Sequence, residues 1–360
     1  MSVLTSRPAL RWLVPAVAVV TVVGGGAALG RFAANAEPSL PPRSAAQLLV
    51  DLQTARLDGL SGTVVQRADL GLPPIAGLLS GDGPADLLTG THTVRVWHSG
   101  PDKQRIALVD TLGERDIIRN GRDVWTWNSR TNTATHRTLP ADKDAAARPE
   151  VPATPQDAAA TALAAIDPTT EVSVGRAATV AGRDAYELVL TPRDDASLVH
   201  QVRIAIDATE HLPLRFEIFA DGGDRPAFEM AFTQIDYARP DADQFAFNPP
   251  PGVRVTEEGV GRERPDVPRG PADGERPDVR TVGEGWTTVV VAKVDGAQRP
   301  SAATDAPEVD VLAKQLPAVS GDWGSGRLFR SDLVTALLTD DGRLIAGAVT
   351  PERLYEVARG

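Results

Sequence analysis

The chain has 360 residues, 42% of them hydrophobic and 5% aromatic, and its formal net charge is −11. This length allows two domains, and the hydrophobic content is that of a globular protein. The acidic balance argues against nucleic-acid binding, which needs a basic surface, and the absence of cysteine excludes disulfides, thiolate metal ligands and a lipid attached to cysteine.

The first 36 residues have the pattern of an export segment. Arg7 and Arg11 precede an apolar run over residues 12–29, and Ala34-Asn35-Ala36 follows it. A positive start, an apolar middle and a small-x-small end indicate a signal peptide. The run is also nearly as long as a membrane anchor, which needs about 20 residues. Both interpretations stay open, and both predict that the rest of the chain is extracytoplasmic, either secreted or anchored to the cell membrane.

A helix and a strand are predicted next. Ser44 and Gln47 form the Ser-x-x-Gln pattern of a capping box, in which each side chain caps the main chain at the other residue. Apolar residues then recur at helical spacing, and Gly59 supplies the stop. Residues 60–67 (LSGTVVQR) predict the first β-strand.

The segment from Ala68 to Gly90 is apolar but repeatedly broken by glycine and proline. Its large aliphatic residues are Leu70, Leu72, Ile75, Leu78, Leu79, Leu87 and Leu88. Two interpretations stay open, a loop folded onto the core or one or two short lid helices over a cavity. Leaving such side chains in water costs about 1.5–3 kcal/mol each relative to full burial. The lid hypothesis therefore predicts that Ile75, Leu78 and Leu79 point into the concave face of a sheet.

Residues 91–139 predict an antiparallel meander of short strands. Turn residues recur at 99–102, at Gly113 and at Asn120-Gly121, and the last pair suits a type I′ hairpin turn, which needs positive φ at both central positions. Trp125 and Trp127 are two residues apart in the next strand, so they are predicted to share one face.

A second helix and a second set of strands follow. Thr154 and Pro155 predict a helix start, with Thr as N-cap and Pro at the first position, and the helix runs to about Ile166. Apolar and polar residues then alternate in several runs between residues 170 and 239, as in half-buried antiparallel strands, and a turn is predicted at Ala181-Gly182. The alternation places Ile204, Phe216, Phe228, Met230 and Phe232 on apolar faces.

The chain ends in a linker and a small unit. Residues 256–284 are charged with both signs, rich in glycine and proline and poor in large apolar residues, so a disordered linker is predicted there. Residues 285–360 predict a small C-terminal α+β domain with a strand pair around the Asp340-Asp341-Gly342 turn and a terminal helix from Pro351.

No catalytic residue, metal site or cofactor motif is predicted. The five histidines show no metal-ligand spacing, and Gly324-Ser325-Gly326 lacks the G-x-S-x-G pattern of a nucleophile elbow. No phosphate-binding loop and no dinucleotide fingerprint occur. The sequence therefore gives no positive support for an enzyme.

The region from about Ser44 to Val255 resembles the LolA-like lipoprotein carrier family, in its actinobacterial branch. The matching stretches are SAAQLLVDLQTARLDGLSGTVVQRADLGLP, RVWHSGPDKQRIAL, ERDIIRNGRDVWTWNSRTNTATHRTLP and QVRIAIDATEHLPLRFEIF. The resemblance implies an α+β fold with a curved, incompletely closed antiparallel β-barrel, whose concave face holds acyl chains beneath short lid helices. The family's lipid contacts are distributed apolar side chains, so it implies apolar faces rather than single diagnostic residues. The candidate groove and lid residues are Leu70, Leu72, Ile75, Leu78, Leu79, Leu87, Leu88, Trp125, Trp127, Ile204, Phe216, Phe228, Met230 and Phe232.

The C-terminal unit, which ends in GAVTPERLYEVA, is similar to that of the RseB/MucB regulators of a membrane anti-sigma factor. The resulting division is an export segment (1–36), a LolA-like lipid-binding domain (37–255), a linker (256–284) and a small domain (285–360). The function expected from the resemblance is non-enzymatic binding of lipid or lipoprotein acyl chains, with the N-terminal helix contacting the cell membrane. The alternative is an envelope-stress sensor that regulates an anti-sigma factor.

Overall fold

A computed structural model describes residues 38–72, 90–110, 113–139, 154–163, 166–258, 279–293 and 316–360. The predicted export segment and the central part of the predicted lid, with Ile75, Leu78, Leu79, Leu87 and Leu88, lie outside these ranges. The described part is mostly strand with few helices. It forms two sheets, a large one and a small one.

The helices begin where the sequence predicts them. They are α1 (Ala45–Thr54), α2 (Pro155–Leu163) and α3 (Pro351–Arg359). The capping box of α1 is confirmed, because the main-chain N–H of Gln47 donates to Ser44 Oγ while the amide oxygen of Gln47 accepts from the main-chain N–H of Ser44. Thr154 caps α2 by accepting from the N–H of Asp157 at 3.2 Å.

The large sheet contains thirteen strands within the described residues. They are β1 (Gly59–Ala68), β2 (Gly90–Ser99), β3 (Lys103–Asp110), β4 (Gly113–Asn120), β5 (Asp123–Asn128), β6 (Thr133–Thr138), β7 (Thr170–Val174), β8 (Ala178–Val180), β9 (Arg183–Pro192), β10 (Val199–Asp207), β11 (Pro213–Ala220), β12 (Pro226–Asp236) and β13 (Arg254–Glu258). The strand order is β13-β6-β5-β4-β3-β2-β1-β12-β11-β10-β9-β7, with β8 also paired to β9. The curved sheet is unclosed, since β13 and β7 lie at opposite ends of this order.

The predicted meander is confirmed over β2–β6, with consecutive strands antiparallel. The turn after β4 differs from the prediction. Asn120 pairs with Asp123, so the two central residues are Gly121 and Arg122, and of these only Gly121 has positive φ (64°). This is the pattern of a type II′ turn, and the predicted type I′ turn at Asn120-Gly121 is wrong.

A turn with positive φ at both central residues occurs instead between β8 and β9. There Ala181 and Gly182 have φ of 51° and 76°. The sequence predicts a turn at this pair, and the structure confirms it.

The small sheet has the order β14-β15-β19-β18-β17-β16 and is packed against α3. Its strands are β14 (Val279–Val282), β15 (Val289–Lys293), β16 (Ala318–Gly321), β17 (Gly324–Arg330), β18 (Thr335–Thr339) and β19 (Arg343–Gly347). Strands enter the range predicted as linker at both of its ends, because β13 extends to residue 258 and β14 begins at residue 279. β13 pairs with β6 in parallel, so the large sheet is not wholly antiparallel.

The C-terminal unit packs on the large sheet. Trp286 and Leu333 are buried members of the large core. Ser197 and Val349 form a bridge between the two parts of the chain, flanked by the hydrogen bond from the Leu198 N–H to the Ala348 oxygen at 2.9 Å. The C-terminal unit therefore contributes residues to the core of the large sheet, while a second, smaller core lies between its own sheet and α3.

Candidate functional site

Strand register divides the side chains of the large sheet into two faces. The inner face carries Val64, Val94, Phe216 and Met230, and the outer face carries the residues that alternate with them, such as Arg95. The helices lie on the inner face, because Leu48 of α1 and Ala158 and Ala159 of α2 join its core. A groove for apolar chains would therefore lie on the inner face.

Most of the described candidate residues come together on the inner face. Buried side chains there, each at most 6% exposed, are Leu70, Ile204, Phe216, Phe228, Met230 and Phe232. The rings of Phe216 and Phe228 meet edge to face at 6.4 Å between centroids. Leu72 is half-buried against the same cluster. These residues form the packed floor of the inner face, since α1, α2 and Trp286 already cover it.

Trp125 and Trp127 share one face, as predicted, but it is the outer face. Trp125 pairs with Ile118, and Trp127 with the buried Asp116. Both indoles pack on Phe247, at 5.2 and 6.1 Å between ring centroids. The prediction that they line one groove with the inner-face residues is wrong, because alternation fixes which residues share a face and not which face meets the helices.

The part of the inner face formed by the meander strands is open to solvent. Cross-strand rows run from Val94 to Leu108 and from Val96 through Ile106 to Ile117. Ile106 and Leu108 are half-buried, and Ile117 is 49% exposed. The apolar floor therefore continues beyond its covered part and ends in a solvent-exposed isoleucine.

Sequence reasoning missed these three residues. The signal was present, because Ile106 and Leu108 alternate within RIALV and therefore share a face. Their importance becomes visible only when the register places Ile117 beside Ile106.

The described ends of the predicted lid lie at one end of the β1–β2 pair. Ala68 pairs with Gly90 across these strands. The chain leaves β1 through Leu70, whose carbonyl oxygen accepts a hydrogen bond of 2.8 Å from the N–H of Asp332. A Cβ at Gly71, which has φ of +58°, would lie 2.4 Å from the Asp332 carboxylate. The C-terminal unit thus holds the start of this segment.

The outer face carries buried charge beside its aromatic contacts. Arg105 binds the Asp116 carboxylate at 2.5 Å, and the Asp116 side chain is 1% exposed. Burial raises the pKa of Asp116 to about 6, although the neighbouring Arg105 lowers it. Near the other end of the sheet, Arg215 binds Glu187 at 3.2 Å and Glu217 at 3.1 Å. Burial raises the pKa of Glu217 to about 7, again opposed by the arginine.

Within the described ranges, no group of three or more His, Cys, Asp or Glu residues is placed to hold a metal ion. Nor does any helix within these ranges combine the length and apolarity needed to cross a membrane.

Residues 89–250 match the family model of the MucB/RseB N-terminal domain. A search of curated proteins found no match. Similar solved structures include MucB in complex with MucA(peri), at 17% identity and a TM-score of 0.45 over 87% of this chain and 97% of that one. The Pseudomonas aeruginosa MucA/MucB complex gives 16% identity and a TM-score of 0.43 over 87% and 96%. A LolA superfamily protein from Nitrosomonas europaea gives 13% identity and a TM-score of 0.24 over 57% and 99%. Over residues 89–250, the chain is therefore similar to the MucB/RseB N-terminal domain.

Proposed function

We propose that the chain is an exported, non-enzymatic protein that binds acyl chains of lipids or lipoproteins on the inner face of its large sheet. The observation that carries this proposal is the open end of the apolar floor, where half-buried Ile106 and Leu108 lead to the exposed Ile117. The match to the MucB/RseB domain supports a lipoprotein-binding or regulatory role.

Apolar burial supplies the driving force. Each CH₂ group that leaves water contributes about 0.8 kcal/mol, so a long acyl chain lying along this floor gains several kcal/mol without any covalent step. Hydrophobic contact is nondirectional, which fits a face built from aliphatic side chains. Specific polar anchors are not needed for the tail of the ligand.

The segment from Ala68 to Gly90 is proposed to cover this floor as a lid. Its described approach, Leu70 and Leu72, already packs on the inner-face core. Ile75, Leu78 and Leu79 would continue that apolar contact when no ligand is bound, and acyl chains would take their place. Replacing Leu78 and Leu79 by Asp is then expected to abolish lipid retention while the strands stay folded.

The floor itself is tested by two matched substitutions. Ile117→Asp places a charge on the proposed acyl path, which is the open part of the floor formed by Ile106, Leu108 and Ile117. Val255→Asp places the same charge on the outer face, where Val255 is 43% exposed, close to the 49% of Ile117. Displacement of a fluorescent long-chain fatty acid should weaken for Ile117→Asp and stay unchanged for Val255→Asp. Equal affinities for both variants would contradict the proposed floor.

Regulation of a membrane anti-sigma factor is the second candidate. The match of residues 89–250 to the MucB/RseB domain favours it, and MucB itself occurs in complex with MucA. The two candidates differ in their partners. A stable complex with one membrane protein after cross-linking in cells supports a regulator, and transfer of bound lipid between vesicles supports a carrier.

Export is part of both candidates. The segment 1–36 would either be removed or hold the chain at the cell membrane, with the sheet outside the cytoplasm. Detecting the N-terminus of the mature protein by mass spectrometry distinguishes cleavage from anchoring.

A further inference from the structure

A cavity of about 290 Å³ opens on the outer face, on the opposite side of the sheet from the proposed acyl path. Three neighbouring strands build it, β12, β1 and β2. The strand register places six side chains of the cavity in two rows, each of which crosses all three strands. The rows are Asp236, Ser61 and Trp97, and Gln234, Thr63 and Arg95.

Trp97 presents an aromatic surface to this cavity. The guanidinium of Arg105 stacks on its ring, 5.2 Å from the centroid, from the β3 side. On the other side, Trp97 pairs with Ser61, whose side chain is too small to cover an indole. The half of the ring that faces β1 is therefore available to a ligand.

The polar groups of the cavity have unused hydrogen-bonding capacity. Within the described ranges, the side chains of Ser61, Thr63, Arg95 and Gln234 make no hydrogen bond or ion pair with the protein. Asp236 accepts one bond of 2.8 Å from the Ala238 N–H and keeps its second oxygen. Hydroxyl, amide, guanidinium and carboxylate groups together can both donate to and accept from a ligand.

The charges of the cavity restrict the ligand. Arg95 would repel a cation, and Asp236 would repel an anion, so neither a phosphate nor an ammonium group is favoured. A neutral molecule with many hydroxyl groups can bind both Arg95 and Asp236, because a hydroxyl can donate to the carboxylate and accept from the guanidinium. The C–H groups on one face of a sugar ring can also pack on the electron-rich face of an indole.

We propose that this cavity is a binding site for a neutral saccharide unit. Trp97 would stack on the sugar ring, while Arg95 and Asp236 would hold neighbouring hydroxyl groups. The site lies on the outer face, so it is independent of acyl-chain binding on the inner face. A neutral glycan of the cell envelope is the class of partner that this chemistry recognises.

The test is a titration of the full-length protein, in a detergent without a sugar headgroup, with maltose, cellobiose and di-N-acetylchitobiose. The readout is the Trp97 indole N–H signal in ¹⁵N spectra, with affinities from calorimetry. At least one disaccharide should give a saturable shift of that signal. Because the substitution removes a charged hydrogen-bonding partner, Arg95→Ala should weaken binding by about tenfold or more.

Three further variants keep the test informative if one fails to fold. Trp97→Ala should lose binding, and Trp97→Phe, which keeps an aromatic face, should lose less. Ser61→Leu fills the cavity from its centre and should also abolish binding. Arg115→Ala, which removes an arginine from the inner face, is the matched control and should bind as the unchanged protein does.

Three results would overturn the proposal. The first is no saturable binding of any of the three disaccharides. The second is binding that survives both Arg95→Ala and Ser61→Leu. The third is saturation of the Trp97 signal by inorganic phosphate without any effect of the sugars, which would identify an anion site. None of these results bears on Ile117 or on the acyl path.

Discussion

The indole Nε1 of Trp286 donates a hydrogen bond of 2.9 Å to the hydroxyl oxygen of Thr170. Trp286 belongs to the C-terminal unit, and Thr170 begins β7 at the edge of the large sheet. Both residues are buried, at 7% and 6% exposure. The C-terminal unit is therefore joined to the large core by a buried polar contact as well as by apolar packing.

Trp286→Ala should destabilise the large sheet. Truncating a buried tryptophan costs about 3–5 kcal/mol in unfolding free energy, and the Thr170 hydroxyl loses its donor. Urea unfolding followed by circular dichroism measures the change. Trp323→Ala is the control, because Trp323 stacks on Tyr355 within the small core and should destabilise that unit. Unchanged stability of the large sheet in Trp286→Ala would show that the contact is dispensable.

A truncated chain ending at Val255 also tests the contact between the C-terminal unit and the large core, because it lacks that unit. The sequence alone predicts that residues 37–255 fold without the tail. The structure leads to a different expectation, since Trp286 and Leu333 complete the large core. We expect the truncated chain to melt at a clearly lower temperature or to aggregate. A melting temperature equal to that of the longer chain would mean that the sheet closes its core without them.

Gly71→Ala should loosen the start of the proposed lid. Alanine at φ of +58° is strained, and its Cβ would lie 2.4 Å from Asp332 Oδ1. Gly222→Ala is matched, because Gly222 has φ of +72° and open space around its Cβ position. Backbone strain should lower the unfolding free energy of both variants by about 1 kcal/mol. The contact with Asp332 should lower that of Gly71→Ala further. Faster hydrogen exchange at residues 68–72 in Gly71→Ala alone is the expected signature, and equal exchange in the two variants would contradict it.

Glu217 should make the fold less stable as the pH rises. Burial raises its pKa from 4.5 to about 7, so between these values the folded chain binds more protons than the unfolded one. The stabilising contribution of Glu217 is fully present below pH 4.5 and is lost as the pH rises through about 7, which lowers the unfolding free energy by about 3 kcal/mol at most. Glu217→Gln should reduce the difference in unfolding free energy between pH 4.5 and pH 7. Parallel profiles for the variant and the unchanged protein would contradict this assignment.

Asp207 provides a control of opposite sign. Burial alone would raise its pKa, but hydrogen bonds from Arg183, from the N–H groups of Glu210 and Thr209 and from Tyr237 hold the pKa below its usual value. Its contribution is present above the unfolded pKa and is lost as the pH falls through the folded value. Asp207→Asn should therefore lower stability by a similar amount at pH 4.5 and at pH 7.

Local signals predict much of this fold. The capping box of Ser44 and Gln47 and the turn at Ala181-Gly182 depend on neighbouring residues, and the structure confirms both. The apolar floor was predicted in part, because alternation identifies Phe216 and Met230 as residues of apolar faces. The side of the sheet taken by Trp125 and Trp127 could not be predicted, since Phe247 makes a second apolar contact on the outer face.

Contacts between distant residues account for the rest. β13 has a polar sequence typical of a linker, yet it pairs with β6 through main-chain hydrogen bonds that almost any side chain permits. The bond between Trp286 and Thr170 joins residues 116 positions apart, without a local pattern that indicates it. Long-range packing of this kind decides where the C-terminal unit lies.

The central claim of the proposed function is that acyl chains bind along the acyl path, and lipid extraction tests this claim most directly. The full-length protein, Ile117→Asp and the outer-face control Val255→Asp would be purified alike, extracted with organic solvent and compared by mass spectrometry. We predict that one class of acyl lipid accompanies the unchanged protein and Val255→Asp in near-stoichiometric amounts and is depleted from Ile117→Asp. An unchanged protein that carries no acyl lipid and binds none when it is supplied, or equal lipid in all three samples, would contradict the account.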